Sequence, residues 1–167
     1  MSACVRLVTA QDGPRLRLDL VDRERELLRS LLDQLAELLT DGDDDPAVER
    51  LLPDGYRDDP ESAAEFRQYT RSGLIERKTA FAGAVAGELD GEGPVLLSPM
   101  QAERWLPTLT DLRLVLAERL GIDDDEDEAD GPIADVYDWI GILQAGMIAQ
   151  LDLIDRLRGH HASWDQS

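Results

Sequence analysis

The most restrictive feature of this sequence is the recurrence of leucine at steps of three and four residues. The first such segment carries Leu28, Leu31, Leu32, Leu35, Leu38 and Leu39. That spacing places the six side chains along one side of an α-helix, where they can be buried together. Two later segments repeat the pattern. Their apolar residues are Leu109, Leu112, Leu116 and Leu120, then Ile133, Val136, Ile140, Leu143, Met147, Leu151 and Ile154. A mainly α-helical protein with a leucine-rich core is therefore predicted.

Capping and breaking residues set the expected helix limits. The predicted helices cover about 22–40, 46–52, 60–72, 74–89, 98–121 and 132–158. Asp22 and Ser98 are the expected N-caps of the first and fifth of these helices, and Pro99 suits the first helical turn. Ser72 and Gly73 predict a break. Pro107 predicts a kink or a division, because proline removes a backbone hydrogen bond and clashes with the preceding turn.

A small sheet is expected beside these helices. Residues 1–20 read as a β-hairpin with its turn at Asp12 and Gly13, and Leu16, Leu18 and Leu20 alternate on one face of the second strand. The short apolar segment 95–97 can add a third strand. The prediction is a single domain over 1–167, a bundle of five or six helices with a small antiparallel β-sheet.

The charge restricts the partners. The chain holds 36 acidic and 17 basic residues, a net charge of −19. Two acidic loops are predicted at 41–45 and 122–131, and a flexible tail at 159–167. Without the eleven acids of the two runs, 25 acidic residues still outnumber the 17 basic ones. DNA and anionic membranes would be repelled, so direct nucleic-acid binding and membrane association are not expected. A basic protein partner is favoured.

The residues that carry chemistry are few. Cys4 is the single cysteine, so the chain can form neither an internal disulfide nor a multi-thiolate zinc site. His160 and His161 are adjacent in the predicted tail and lack the i, i+4 spacing of a helical metal site. Calcium-loop spacings fail in both acidic runs. We expect no cofactor, no metal and no enzymatic activity. Charges in the first twenty residues exclude a secretory signal, which predicts a cytoplasmic protein.

Two alternatives stay open. The first is direct DNA binding through a ribbon that carries Arg6, Arg15 and Arg17, since two-stranded ribbons can enter the major groove. The second is a hydrolase that uses a pair of carboxylates, because acidic residues are abundant and no pair is singled out.

A set of polar and aromatic residues makes up either a partner-contact surface or an internal structural network. Asp111 and Arg113 flank Leu112 and are too close in register to pair with each other on one helix face, so each is expected to bind another element. Arg57, Asp58 and Asp59 are candidate partners. The full set is Tyr56, Arg57, Asp58, Asp59, Arg67, Trp105, Asp111, Arg113 and Trp139.

Two motifs carry a family resemblance. The segment Leu-Leu-Pro-Asp-Gly-Tyr-Arg-Asp-Asp-Pro at 51–60, with Glu-Phe-Arg at 65–67, resembles an actinobacterial family of unknown function. So does Trp-Leu-Pro-Thr-Leu-Thr-Asp-Leu-Arg-Leu at 105–114, followed by Arg-Leu-Gly at 119–121. Some members of that family are described as oxidative-stress transcriptional regulators (AosR-like).

The resemblance implies a regulator of stress-responsive transcription that acts through a sigma factor or another basic regulator. The chain departs from a two-cysteine redox switch, because Cys4 has no second cysteine to pair with. Surplus apolar helix surface also allows a low-affinity homodimer.

Overall fold

The computed structural model describes residues 3–42, 44–52, 63–122 and 129–164, with side chains given except at 63–70 and 160–164. The elements in chain order are β1 (Cys4–Ala10), β2 (Gly13–Asp19), α1 (Asp22–Asp41), α2 (Pro46–Leu51), α3 (Ala63–Glu88), β3 (Val95–Leu97), α4 (Pro99–Leu120) and α5 (Pro132–Trp164). Within these ranges the protein has five helices and one small sheet, which confirms the predicted fold class.

The sheet is antiparallel, in the order β1-β2-β3. Leu16 lies opposite both Leu7 and Leu97, and Leu18 lies opposite Val5 and Val95. Gly13 has a φ of 120° at the hairpin turn, a conformation that glycine adopts without strain. Leu16 and Leu18 are fully buried and Leu20 is half-buried, in agreement with the predicted alternation. The pairing of β3 with β2 confirms the third strand.

The core forms where the helices cover one face of this sheet. Four of the six stripe leucines of α1 are buried, and Leu31 and Leu38 are half-buried at its margin. The other fully buried large side chains belong to the sheet, α4, α5 and the residue that follows α3: Leu16, Leu18, Leu89, Leu97, Trp105, Leu109, Ile140, Leu143 and Met147.

Several predicted helix limits are wrong. The N-cap of α1 is Val21 rather than Asp22, and Glu24 accepts a hydrogen bond from the Val21 N–H at 3.1 Å. Helix α3 is continuous through Ser72 and Gly73, because packing against α1 outweighs the roughly 1 kcal/mol cost of a helical glycine. Helix α5 continues to Trp164, so residues 159–164 extend it rather than form a tail.

Helix α4 agrees with its predicted start and end. The Ser98 hydroxyl accepts a hydrogen bond from the Gln101 N–H at 3.2 Å, and the Gln101 side chain accepts from the Ser98 N–H at 2.8 Å. Gly121 ends the helix with a φ of 72°. The helix is not divided at Pro107, since buried Trp105 and Leu109 anchor it on both sides of the missing hydrogen bond.

Candidate functional site

Part of the predicted contact set lies outside the described residues. Tyr56, Arg57, Asp58 and Asp59 all belong to that part of the chain, and Arg67 lies in the stretch of α3 whose backbone alone is described. The predicted pairing of this loop with Asp111 and Arg113 therefore stays a prediction. The structure describes the surroundings of the other four residues, which are Trp105, Asp111, Arg113 and Trp139.

Asp111 binds a residue that the sequence reasoning did not assign to it. The Lys78 ammonium, on α3, donates to both Asp111 carboxylate oxygens, at 2.8 and 3.0 Å. The Asp111 side chain is 7% exposed and that of Lys78 is 18% exposed. Burial raises the pKa of the Asp111 carboxyl, and the nearby ammonium offsets only part of this effect. The one sequence feature that marks Lys78 is that it is the only lysine of the chain.

Arg113 points toward α5 and contacts an aromatic ring. Its guanidinium carbon lies 4.2 Å from the centre of the Tyr137 ring, a cation–π arrangement. The Arg113 Nε atom is buried and has no hydrogen-bond partner. Gly141 leaves the space for this side chain, because an added Cβ would lie 3.2 Å from the guanidinium carbon. Asp111 thus links α4 to α3, and Arg113 links α4 to α5.

Trp105 and Trp139 are core residues. Trp105 is fully buried, and Trp139 is 2% exposed. The Trp105 indole N–H donates to the Glu88 carboxylate, which also accepts from Arg104 at 3.3 Å. A buried indole N–H normally needs such an acceptor. With the ion pair of Asp111, these contacts favour the interpretation of the described predicted residues as an internal network.

The arginine ribbon is largely paired within itself. Arg6 and Arg17 both donate to the Asp19 carboxylate, at 2.8 and 3.0 Å. Arg15 donates to the Pro14 carbonyl at 3.0 Å. The hydrogen bond from Arg6, followed by that from Arg17, lowers the pKa of the Asp19 carboxyl. One carboxylate therefore partly neutralises the surface that the DNA-binding alternative requires.

The described structure has an apolar groove that the sequence reasoning did not predict. It lies between the second half of α1, the second half of α4 and the start of α5, with a volume of about 540 Å³. Its lining residues are Leu31, Gln34, Leu35, Glu37, Leu38, Asp41, Gly42, Leu112, Val115, Leu116, Arg119 and Ile133. Recesses of this size commonly hold ligands or side chains of a partner.

Within the described ranges, no cluster of three or more metal-binding side chains occurs. Their two buried acidic residues have separate structural partners, since Glu24 accepts from the Val21 N–H and Asp111 binds Lys78. Neither provides the free, paired carboxylates that the hydrolase alternative requires. Within the same ranges, no helix combines the length and apolar character needed to cross a membrane.

These features define a small helical domain with a three-stranded sheet, an internal ion-pair network and an open apolar groove. The sequence profile for the family described as "Domain of unknown function (DUF2017)" matches residues 3–151. The chain belongs to this family. That membership agrees with the resemblance carried by the motifs at 51–67 and 105–121.

Curated relatives extend over most of the chain. It is 28% identical to the "Oxidative stress regulator AosR" of Mycobacterium tuberculosis and of Mycobacterium bovis, over 86% of this chain and 85% of those proteins. It is 26% identical to the "Putative oxidative stress regulator AosR" of Mycobacterium leprae, over 86% of each chain. No solved structure matches it significantly.

Proposed function

We propose that this protein is a non-enzymatic regulator of oxidative-stress transcription that acts in the cytoplasm by binding another protein. The observation that carries the proposal is the similarity to proteins named oxidative stress regulators, which spans 86% of this chain. The internal pairing of Asp111 with Lys78 and of Glu88 with Trp105 supports it, because these buried polar groups serve packing rather than chemistry.

The partner we favour is a basic protein, such as a sigma factor or another basic transcription regulator. A chain with a net charge of −19 attracts a cationic partner over long distances and repels DNA phosphates. The pairing of Arg6 and Arg17 with Asp19 makes direct DNA reading by the ribbon less favourable. A low-affinity homodimer stays a prediction, and Leu153 and Leu157 are exposed apolar residues of α5 that it would use.

Deletion of the gene in its native host tests this function. Transcripts are measured before and after a peroxide challenge in the wild type, in the deletion strain and in a strain that carries the gene again. We expect oxidant-responsive transcripts to change in the deletion strain and to recover on complementation. Unchanged transcripts in the deletion strain would contradict the regulatory role.

The same strains test whether the protein acts by binding another protein or by binding DNA directly. For this test the deletion strain receives the variant Arg15→Ala/Arg17→Ala. Recovery by this variant is expected if the protein acts through a protein partner. Loss of recovery, together with tight and salt-sensitive DNA binding of the purified wild type, would instead support direct DNA binding.

A further inference from the structure

We propose that the groove between α1, α4 and the start of α5 docks an amphipathic helix of a partner protein, with basic residues flanking its apolar face. This surface would serve the proposed regulatory function, on which the assignment rests. The type of partner is inferred from three features of the groove: its apolar floor, the charges at its rim and its exposed apolar margin.

The floor of the groove matches an apolar helix face. Seven of the twelve lining residues are leucine, valine or isoleucine, and Ile133 is 46% exposed at one margin. The α1 side runs from Leu31 to Gly42, which corresponds to about 16 Å along the helix axis at about 1.5 Å per residue. Three turns of a partner helix have the same length, and their apolar residues at i, i+3, i+4 and i+7 would face this floor.

The rim selects the charge of the occupant. Glu37 and Asp41 are exposed on the α1 side. Arg119, the cationic side chain of the lining, already donates to both Asp45 carboxylate oxygens, at 3.0 and 2.8 Å. Among the described residues, the rim therefore presents net negative charge. Lysine or arginine residues beside an apolar helix face would meet it, which favours association and selects against acidic helices.

Charge also disfavours two occupants that this chain could supply. A second copy carries the same net charge of −19. The acidic run 123–130 contains seven acidic residues, which Glu37 and Asp41 would repel. A basic helix from a different protein is the occupant that satisfies both the apolar floor and the acidic rim.

Binding of a defined peptide to the full chain tests the groove. The probe is a fluorescent Leu/Lys peptide of about three to four helical turns with leucines on one face, and binding is followed by anisotropy at low salt. A Leu/Glu peptide of the same pattern and a scrambled Leu/Lys peptide are the peptide controls. We expect the patterned Leu/Lys peptide to bind and both controls to bind at least about tenfold more weakly.

Matched protein variants locate the binding. Ile133→Glu, in the groove, should lower the affinity for the patterned Leu/Lys peptide by about tenfold or more. Ile142→Glu, at a position that is 59% exposed elsewhere on α5, should change this affinity by less than about twofold. The double variant Glu37→Gln/Asp41→Asn should lower the peptide affinity about threefold or more. The double variant Glu103→Gln/Asp155→Asn, at exposed positions outside the groove, should leave the affinity unchanged. Circular dichroism confirms the fold of each variant.

The result that would overturn the assignment is equal weakening by Ile133→Glu and Ile142→Glu, or failure of the patterned peptide to bind the wild-type protein. Peptide affinity is measured with purified components. Such a result would therefore reject the groove as a helix site, while the transcript measurements would still decide the regulatory role separately.

Discussion

Lys78 and Asp111 form a buried ion pair between α3 and α4, with the ammonium 2.8 Å from one carboxylate oxygen and 3.0 Å from the other. The pair joins the only lysine of the chain to a motif residue of the family resemblance. Because the carboxylate side is more deeply buried than the ammonium side, removal of each partner should have a different cost.

We expect Lys78→Met to destabilise the protein more than Asp111→Asn. Without Lys78 the Asp111 carboxylate loses its counter-charge in a site 7% exposed, and breaking such a pair costs about 3–5 kcal/mol. Without Asp111 the Lys78 ammonium, 18% exposed, can still reach water. Urea unfolding at neutral pH measures both free energies.

The control for this comparison is Arg156→Met, which breaks the exposed i, i+4 pair of Arg156 with Asp152 and should cost less than about 0.5 kcal/mol. The double variant Lys78→Met/Asp111→Leu should recover part of the loss of Lys78→Met. Equal costs for Lys78→Met and Arg156→Met would contradict the buried pair.

The raised pKa of Asp111 predicts a distinct pH dependence of stability. In the unfolded chain this carboxyl titrates near its ordinary pKa of 3.8, whereas burial keeps it protonated to higher pH in the folded state. Its contribution to stability is therefore full below pH 3.8 and is lost as the pH rises through the raised folded pKa. The free energy of unfolding of the wild type, relative to that of Asp111→Asn, should fall as the pH rises through this window.

Asp19 provides the opposite control for the pH experiment. Its pKa is lowered by Arg6 and Arg17, so its stabilising contribution is present above pH 3.8 and is lost as the pH falls through its folded pKa. The wild type, relative to Asp19→Asn, should therefore gain stability as the pH rises. The same slope for both variants would be incompatible with the two assigned environments.

The stacking of Arg113 on Tyr137 should make Gly141 resistant to substitution. Alanine in a helix interior normally gains about 1 kcal/mol over glycine, and we expect that gain for Gly83→Ala, whose added Cβ meets no atom within 4 Å. In Gly141→Ala the added Cβ lies 3.2 Å from the Arg113 guanidinium carbon, so that side chain must shift. The gain should be less than half that of Gly83→Ala, or become a loss.

A second substitution, at Arg113, tests whether the Arg113 side chain causes the reduced gain of Gly141→Ala. In an Arg113→Met background the flexible side chain can move aside, and Gly141→Ala should recover most of the helix-propensity gain. Thermal unfolding of the four proteins in this cycle provides the measurement. An unchanged effect of Gly141→Ala in the two backgrounds would mean that the Arg113 contact does not restrict position 141.

Periodicity in the sequence predicted the parts of the fold that depend on local pattern. Leu16 and Leu18 alternate within one strand, and the stripe leucines of α1 recur at helical steps. Each spacing therefore indicates which face of its element is buried. Helix limits were harder to predict. The continuity of α3 through Gly73 depends on packing against α1, which a local pattern does not contain.

The candidate site was less predictable than the fold for a related reason. Asp111 and Arg113 were expected to bind residues of other elements, but the identity of their neighbours depends on how α3 and α5 pack around α4. Nothing in the local sequence around Lys78 points to Asp111, which lies 33 residues away. The groove likewise exists only once α1, α4 and α5 are assembled.

We propose that this chain regulates the oxidative-stress response by holding a basic partner in the groove beside Ile133. The most direct measurement returns Ile133→Glu or Ile142→Glu to the deletion strain at equal protein level and reads peroxide-responsive transcripts. We predict that Ile142→Glu restores the response and that Ile133→Glu does not. Full restoration by Ile133→Glu would contradict the claim.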